Sequence, residues 1–168
     1  MSASTVRGRA WKFGDDIDTD AILPSQYMRK PPEEYANHAM EPLDPSFAEE
    51  VSKGDVVVAG LNFGIGSSRE QAVVALDRLG ISAVVAVSFA RIFRRNAVNE
   101  GLPVVACDRT VVDAISAGDE LEVRPFQGTV RNLTTGETHE FDPIGDPVRS
   151  ILEAGGAVEF YGSNGDGK

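Results

Sequence analysis

The stretch NFGIGSSRE, Asn62 to Glu70, places two glycines, two serines and an arginine between an apolar strand pattern and a helix pattern. Such a group can bind an anion, because amides at a helix start carry partial positive charge and a guanidinium can grip a carboxylate with two hydrogen bonds. It can also be structural, since Ser67 and Glu70 have the S-x-x-E spacing of a capping box. The capping box does not explain Gly64 and Gly66, which indicate a sharp turn or close approach of the backbone to a ligand.

Three known glycine motifs do not fit this stretch. A dinucleotide fingerprint requires glycine in place of Arg69, a nucleophile elbow requires glycine in place of Glu70, and the Gly-Lys pair of a P-loop is absent. The pattern that remains predicts an anion site made from helix amides, the hydroxyls of Ser67 and Ser68, and the guanidinium of Arg69.

A second polar stretch, DDIDTDAILP, covers Asp15 to Pro24. Its alternating aspartates imitate the start of a calcium loop, but Ala21 and Tyr27 occupy the positions that require glycine and glutamate, so calcium is excluded. One interpretation is a turn whose aspartate and threonine side chains cap the local backbone. In the other, Asp20 holds an arginine or a partner's histidine.

A third stretch, SFARIFRRNAVNEG, covers Ser88 to Gly101 and predicts a helix with an apolar stripe and Ser88 as its cap. Arg91 and Arg95 share one face, which is typical of solvated arginines. Cys107 ends an apolar strand as a small core residue, and neither histidine has a companion at metal-ligand spacing. The sequence therefore predicts no metal site in this chain.

The centre of the sequence alternates apolar strands with helices. The pattern predicts strands over 55–60, 82–87 and 102–107, and helices over 68–79 and 89–100 that end at Gly80 and Gly101. This β-α-β-α-β order indicates parallel pairing with right-handed crossovers.

Further strands and helices surround this centre. The sequence predicts a strand over 6–13, a short helix from Asp44-Pro45 to about 53–54, antiparallel strands over 120–126 and 128–141 with a fold at Thr135-Gly136, a helix over 147–154 and a closing strand over 157–161. The expected fold is α/β, a parallel centre with antiparallel additions, in a single domain over 1–168. Frayed ends are expected over 1–5 and 163–168.

Composition and charge exclude several functions. The net charge of −10 disfavours nucleic acid as a partner, although residues 61–110 hold six basic and four acidic residues, which suits a small anionic ligand. Apolar runs do not exceed about five residues, as over 83–87, which predicts no membrane span. The N-terminus lacks a secretory pattern and one cysteine cannot form an internal disulfide, so a cytoplasmic location is expected.

The stretches DIDTDAILP, NFGIGSSREQA and SFARIFRRNAVNEGL, in this order, resemble the small subunit of the aconitase-like dehydratases, above all 3-isopropylmalate dehydratase and homoaconitase, over about residues 10 to 107. The resemblance implies a swivelling β/β/α domain that is half of a hydro-lyase. It implies a separate large subunit, in a heterodimer or heterotetramer, whose [4Fe-4S] cluster acts as the Lewis acid, while this chain binds no cofactor. The implied reaction moves water between adjacent carbons of a 2-hydroxy di- or tricarboxylic acid through a cis-alkene.

The resemblance also implies roles for individual residues. Ser67 would act as an alkoxide base, which requires stabilisation by the helix start and guanidinium charge because a serine hydroxyl is a weak acid. Gly66 would let the backbone approach the substrate, and Ser68 and Arg69 would grip a substrate carboxylate. Asp20 would support polar groups of the site.

Substrate identity depends on the YMRK segment, Tyr27 to Lys30, which aligns with the family segment that contacts the variable group of the substrate. Arg29 would suit a third carboxylate. The favoured function is 3-isopropylmalate dehydratase in leucine biosynthesis, with homoaconitase or another methylmalate- or dimethylmalate-type hydro-lyase as the alternative. A noncatalytic anion-binding regulatory module, or a scaffold for the large subunit, are the hypotheses of a different class.

Overall fold

A mixed sheet forms the centre of the molecule. The computed structural model describes residues 4–67 and 69–165, and over these residues seven strands form one sheet in the order β4-β3-β2-β1-β5-β6-β7. The strands are β1 Val6–Lys12, β2 Val56–Ala59, β3 Ala83–Ala86, β4 Val104–Ala106, β5 Glu120–Arg124, β6 Thr129–Asn132 and β7 Thr138–Glu140.

Helices connect and cover these strands. They are α1 Thr19–Ile22, α2 Pro32–Tyr35, α3 Phe47–Glu50, α4 Glu70–Arg78, α5 Arg91–Glu100, α6 Arg109–Asp113, α7 Val148–Ala154 and α8 Ala157–Gly165, with short 3-10 helices at Ser25–Tyr27 and Ala36–His38. No helix of the described residues combines the length and the apolar content needed to cross a bilayer.

The parallel half of the sheet confirms the β-α-β-α-β prediction. Strands β1, β2, β3 and β4 pair in parallel, with Val57 opposite Val84 and Val84 opposite Val104. Every residue of β2 and β3 is buried, because both faces of the sheet are covered, which explains why these strands read as unbroken apolar runs. Gly80 and Gly101 end α4 and α5 with φ of +92° and +83°.

The antiparallel additions are also confirmed. Strand β1 lies in the middle of the sheet, parallel to β2 and antiparallel to β5, and β5, β6 and β7 continue as hairpins. Gly136, with φ of +85°, lies in the turn between β6 and β7, as the Thr135-Gly136 pair predicted. This sheet puts the carboxyl ends of β1, β2 and β3 at one edge.

The predicted closing strand over 157–161 is wrong, because this segment is the start of α8. Gly155 and Gly156 have positive φ and reverse the chain after α7, so that α8 packs against α5 and α7. Val158 remains 81% exposed, whereas a strand in the sheet would have buried it. The expected frayed ends include residues 1–3 and 166–168, which lie outside the described residues, whereas the backbone of 163–165 belongs to α8.

Candidate functional site

The loop after β2 lies between the two other polar stretches of the sequence. On one side it pairs with residues 15–19 of the first stretch, through three backbone hydrogen bonds: Asp16 N to Leu61 O (2.7 Å), Gly64 N to Ile17 O (2.7 Å) and Thr19 N to Ile65 O (2.8 Å). On the other side it pairs with residues 88–90 of the third stretch: Phe63 N to Ser88 O (3.0 Å) and Ala90 N to Phe63 O (2.9 Å). The fold thus brings the three stretches together at the carboxyl ends of the parallel strands, where α/β sheets commonly bind ligands.

Gly64 packs tightly against α5. Its φ is +85°, and a Cβ there would lie 2.3 Å from Cγ of Phe93 in α5. Asn62, with φ of +60°, turns the chain just before it and donates from Nδ2 to Asp16 Oδ1 (2.9 Å). Gly66 has φ of +104°, and a Cβ there would lie 3.3 Å from Thr19 Oγ1. The glycines therefore serve the turn and the packing on α5, in addition to any role toward a ligand.

The capping box predicted for Ser67 and Glu70 is wrong. Helix α4 begins at Glu70, and Arg69 occupies the N-cap position with extended backbone and no side-chain cap. Ser67 is exposed and lies two residues before the N-cap. The cap predicted for Ser88 is wrong for a similar reason: α5 has Ala90 as its N-cap, and Ser88 Oγ instead accepts from Asn62 N at 2.8 Å.

Arg69 and Asp20 form the charged pair of the site. Arg69 Nη1 donates to Asp20 Oδ1 and to Leu23 O, both at 3.2 Å, and the Arg69 side chain is 16% exposed. Nε and Nη2 of Arg69 donate to no other described residue, which leaves one edge of the guanidinium for a carboxylate. The hydrogen bond from the Ser25 amide, followed by that from Arg69, holds the pKa of Asp20 below its ordinary value, so the pair persists to lower pH than a free aspartate would allow.

A second ion pair, between Asp15 and Arg109, supports the loop after β2, and it was not predicted from the sequence. Asp15 Oδ1 accepts from Leu61 N (2.8 Å) and lies 3.1 Å from Nη2 of Arg109, which is the first residue of α6. These contacts, the amide of Leu61 first, hold the pKa of Asp15 below its ordinary value. A Cβ at Gly60 would lie 1.8 Å from Asp15 Oδ1. The only sequence signal was that Asp15 and Arg109 each follow directly after a strand region, and the sequence distance of 94 residues hides their contact.

The structure brings some of the predicted site residues together and not others. Ser67, Gly66, Arg69 and Asp20 lie within or directly against the loop after β2. Ser68 lies outside the described residues. Arg29 is exposed, and it forms no ion pair with a described residue and no hydrogen bond with Arg69 or Ser67.

The described residues do not fit an iron-sulfur cluster. No group of three or more His, Cys, Asp and Glu side chains in residues 4–67 and 69–165 is arranged to hold a metal ion. Cys107 is buried, and burial raises the pKa of its thiol to about 12, with a further contribution from the charge of Asp108. A thiolate is the form that ligates iron, and this cysteine is held as the neutral thiol.

This chain is similar to known proteins over nearly its whole length. A family model, the aconitase C-terminal domain, matches residues 17–109. The chain is 56% identical to 3-isopropylmalate dehydratase small subunit 1 of Methanopyrus kandleri, over 95% of this chain and 94% of the relative. It is 52% identical to the methanogen homoaconitase small subunit of Methanothermobacter thermautotrophicus, over 93% and 90%. The crystal structure of 3-isopropylmalate dehydratase from Methanocaldococcus jannaschii superposes with a TM-score of 0.91 at 44% identity, over 96% and 95% of the two chains.

Proposed function

This chain belongs to the aconitase C-terminal domain family, and on that premise we propose that it is the small subunit of a 3-isopropylmalate dehydratase, a hydro-lyase of leucine biosynthesis. The observation that carries the proposal is the pairing of Arg69 with Asp20 at the loop that holds Ser67. It supports this function because one edge of the guanidinium stays free on the same loop that carries the exposed Ser67, and binding and deprotonation of a hydroxy acid require a cation and a base.

Arg69 binds a carboxylate of the substrate in this proposal. Asp20 and the carbonyl of Leu23 occupy Nη1 and so fix the guanidinium plane, while Nε and Nη2 can donate in parallel to two carboxylate oxygens. Gly66 lets the backbone of the loop approach the substrate, and Ser68, which lies outside the described residues, is assigned to the same carboxylate as the sequence predicts. Asp20 acts through Arg69 and is therefore a positioning residue.

Ser67 acts as the general base in this proposal. As an alkoxide, its Oγ takes the proton from the carbon next to the one that bears the hydroxyl, the C–O bond of that hydroxyl breaks, and the cis-alkene and hydroxide result. Hydroxide then adds to the carbon that lost the proton, and Ser67 returns the proton to the carbon that lost the hydroxyl. Ser67 lies two residues before Arg69, the N-cap residue of α4, and so precedes the positive end of that helix. The free amides of the first helical turn and the Arg69 guanidinium stabilise negative charge there.

The iron-sulfur cluster belongs to a separate large subunit in this proposal. The assignment is supported by the described residues of this chain, which do not fit a cluster. The two subunits form a heterodimer or heterotetramer, and the active site is complete only in the assembly. The expected cytoplasmic location and a single swivelling domain over 1–168 are part of the same proposal.

Reconstitution tests the function directly. The purified chain alone is expected to give no turnover of 2-isopropylmalate, and addition of the iron-sulfur large subunit is expected to restore it, because neither chain holds all the reacting groups. Formation of the cis-alkene is followed by its ultraviolet absorbance. Turnover by this chain alone would contradict the proposal. An inactive assembly, together with binding of dicarboxylates by the lone chain, would also contradict it and would favour a regulatory module.

A second candidate function is that of homoaconitase. It is supported by Arg29, whose exposed guanidinium has no ion-pair partner among the described residues and suits a third carboxylate. The same reconstituted assembly decides between the two. A higher kcat/KM for homocitrate than for 2-isopropylmalate would favour homoaconitase.

Arg69→Lys is expected to raise the KM for 2-isopropylmalate by about 30-fold and to lower kcat by less than tenfold. An ammonium cannot contact Asp20, Leu23 and two carboxylate oxygens at once, and the loss of one charge-assisted hydrogen bond corresponds to about 2 kcal/mol. Steady-state kinetics of the reconstituted enzyme measures both constants. Arg78→Lys, in the last turn of the same helix, is the control and should leave both unchanged. An unchanged KM in Arg69→Lys would show that this guanidinium does not bind substrate.

A further inference from the structure

Strand β4 lies at one edge of the sheet, and its outer backbone groups have no partner among the described residues. Val84 N of the neighbouring strand β3 donates to Pro103 O at 3.0 Å. Successive residues of a strand point their backbone groups to alternate sides, so the N–H and C=O groups of Val104 and Ala106 point away from β3. Such an edge can accept a further strand by backbone hydrogen bonds.

A groove of about 660 Å³ runs along this edge, between β4, the helices α5 and α7 and the segment 142–145. The groove is mainly apolar, and its apolar side chains include Val98, Val104, Ile144, Val148, Ile151 and Leu152. Grooves of this kind take the alternate side chains of an added strand. Within the described part of the chain, no strand pairs with β4 on this side.

Three arginines of α5 line the same groove. Arg91, Arg94 and Arg95 have the i, i+3, i+4 spacing of one helix face, and all three are exposed. Their guanidinium groups form no ion pair and no hydrogen bond with a described residue, and that of Arg94 lies 5.6 Å from the centroid of the Phe89 ring. Against them stands one acidic side chain of the lining, Asp142. In a chain of net charge −10, this excess of positive charge favours an acidic occupant.

The groove begins next to the candidate site. Arg91 is the first residue of α5, and it directly follows residues 88–90, which pair with the loop after β2. Ala106 is the last residue of β4, at the carboxyl edge of the parallel strands, where the site also lies. A protein that covers the site can therefore extend into the groove without crossing the molecule.

We propose that the groove binds an extended acidic segment of the large subunit, which adds to the sheet beside β4. Its backbone pairs with the free groups of Val104 and Ala106, its apolar side chains pack between α5 and α7, and its carboxylates pair with the arginines of α5. This inference rests on the proposed function, because it assigns a docking surface to the partner that this function requires. The groove contributes to assembly and not to the chemical step, because Ser67 and Arg69 lie outside it.

Arg95→Glu tests the charge of the groove. This change is expected to raise the Kd for the cognate iron-sulfur large subunit about tenfold and to weaken the dependence of Kd on salt concentration, because a carboxylate then faces the acidic segment. At saturating large subunit, kcat should stay within about twofold of wild type. Arg131→Glu is the matched control, since Arg131 is an exposed arginine of β6 without an ion pair to a described residue. If both variants raise Kd equally, the groove is not the docking surface.

Ala106→Pro tests strand addition. It removes one of the free N–H groups, and proline is tolerated at an edge strand when that N–H points away from the sheet. We expect the Kd for the large subunit to rise about tenfold, mainly through faster dissociation. Ala106→Ser keeps the N–H group and is the control, which should bind as wild type does. Circular dichroism of both variants verifies that they fold.

Amide hydrogen exchange of the wild-type chain tests the same pairing without any substitution. The amides of Val104 and Ala106 are expected to exchange rapidly in the isolated chain and at least about tenfold more slowly with the large subunit bound. If the wild-type chain and the large subunit form no complex, the proposed function and the docking surface both fail. If the complex forms and turns over while these amides keep their exchange rates and Arg95→Glu and Ala106→Pro bind as wild type does, the docking surface fails and the function stands. Self-association of the isolated chain that Ala106→Pro abolishes would assign the groove to a second copy and overturn the inference.

Discussion

Ser67→Ala is expected to lower kcat of the reconstituted enzyme by at least about three orders of magnitude, with KM within about threefold of wild type. Removal of the base affects the proton-transfer step alone, and general base catalysis together with the stabilised oxyanion contributes on this scale. Ser67 is exposed and lies outside the N-cap position, so the free energy of unfolding should change by less than about 0.5 kcal/mol. A capping serine would instead lose about 1 kcal/mol.

Ser88→Ala is the control for this result. Ser88 lies against the same loop, where its Oγ accepts from the Asn62 amide at 2.8 Å. Its loss should cost about 1 kcal/mol of stability and less than about tenfold in kcat. Similar kcat values for Ser67→Ala and Ser88→Ala would contradict the assignment of Ser67 as base. Undiminished turnover in Ser67→Ala would favour the hypothesis that this chain is a scaffold for the large subunit.

Gly64→Ala is expected to lower the free energy of unfolding by about 3 kcal/mol or more and to abolish activity. The new Cβ would lie 2.3 Å from the Phe93 ring, at a residue with φ of +85°. Both the steric overlap and the left-handed backbone are unfavourable for alanine. The loop that carries Ser67 must then move away from α5. Urea denaturation followed by circular dichroism measures the change.

Gly136→Ala separates the two contributions. Gly136 has the same φ of +85°, but no atom lies within 4 Å of its ideal Cβ position. Its substitution should therefore cost only the backbone term of about 1 kcal/mol. Equal losses in Gly64→Ala and Gly136→Ala would show that the contact with Phe93 does not constrain the loop.

The parallel centre of the fold follows from sequence alone. Strands β2 and β3 are short apolar runs, each followed by a helix pattern, and glycines end both helices at Gly80 and Gly101. These signals are local. Because both faces of the sheet are covered at β2 and β3, all their side chains are apolar, and each strand appears in the sequence as an unbroken apolar run. Local signals of this kind are the ones that sequence patterns report well.

The helix starts and the last element did not follow from sequence. The spacing of Ser67 and Glu70 satisfied the capping box, but the loop is held by hydrogen bonds to Ile17, Thr19 and Ser88, so tertiary contacts decide where α4 begins. The segment AVEFY is too short for its apolar pattern to distinguish strand from helix. Its outcome depends on packing against α5 and α7, which the sequence does not display.

The contact of Asp20 with an arginine was predictable from the sequence, whereas the other contacts that hold the loop after β2 were not. Asp20 was expected to hold an arginine or a partner's histidine, and in the structure it holds Arg69, 49 residues away. The Asp15–Arg109 pair carries no motif, because it joins residues 94 positions apart from separate elements. Such supports are visible only in three dimensions.

The most direct test of the account is a crystal structure of the assembled enzyme with 2-isopropylmalate bound. In that structure we expect Ser67 Oγ to lie within about 3.5 Å of the carbon that loses its proton, and Arg69 to hold a carboxylate of the same molecule through Nε and Nη2. A structure in which Ser67 Oγ faces away from the bound acid, and another side chain occupies that position, would contradict it.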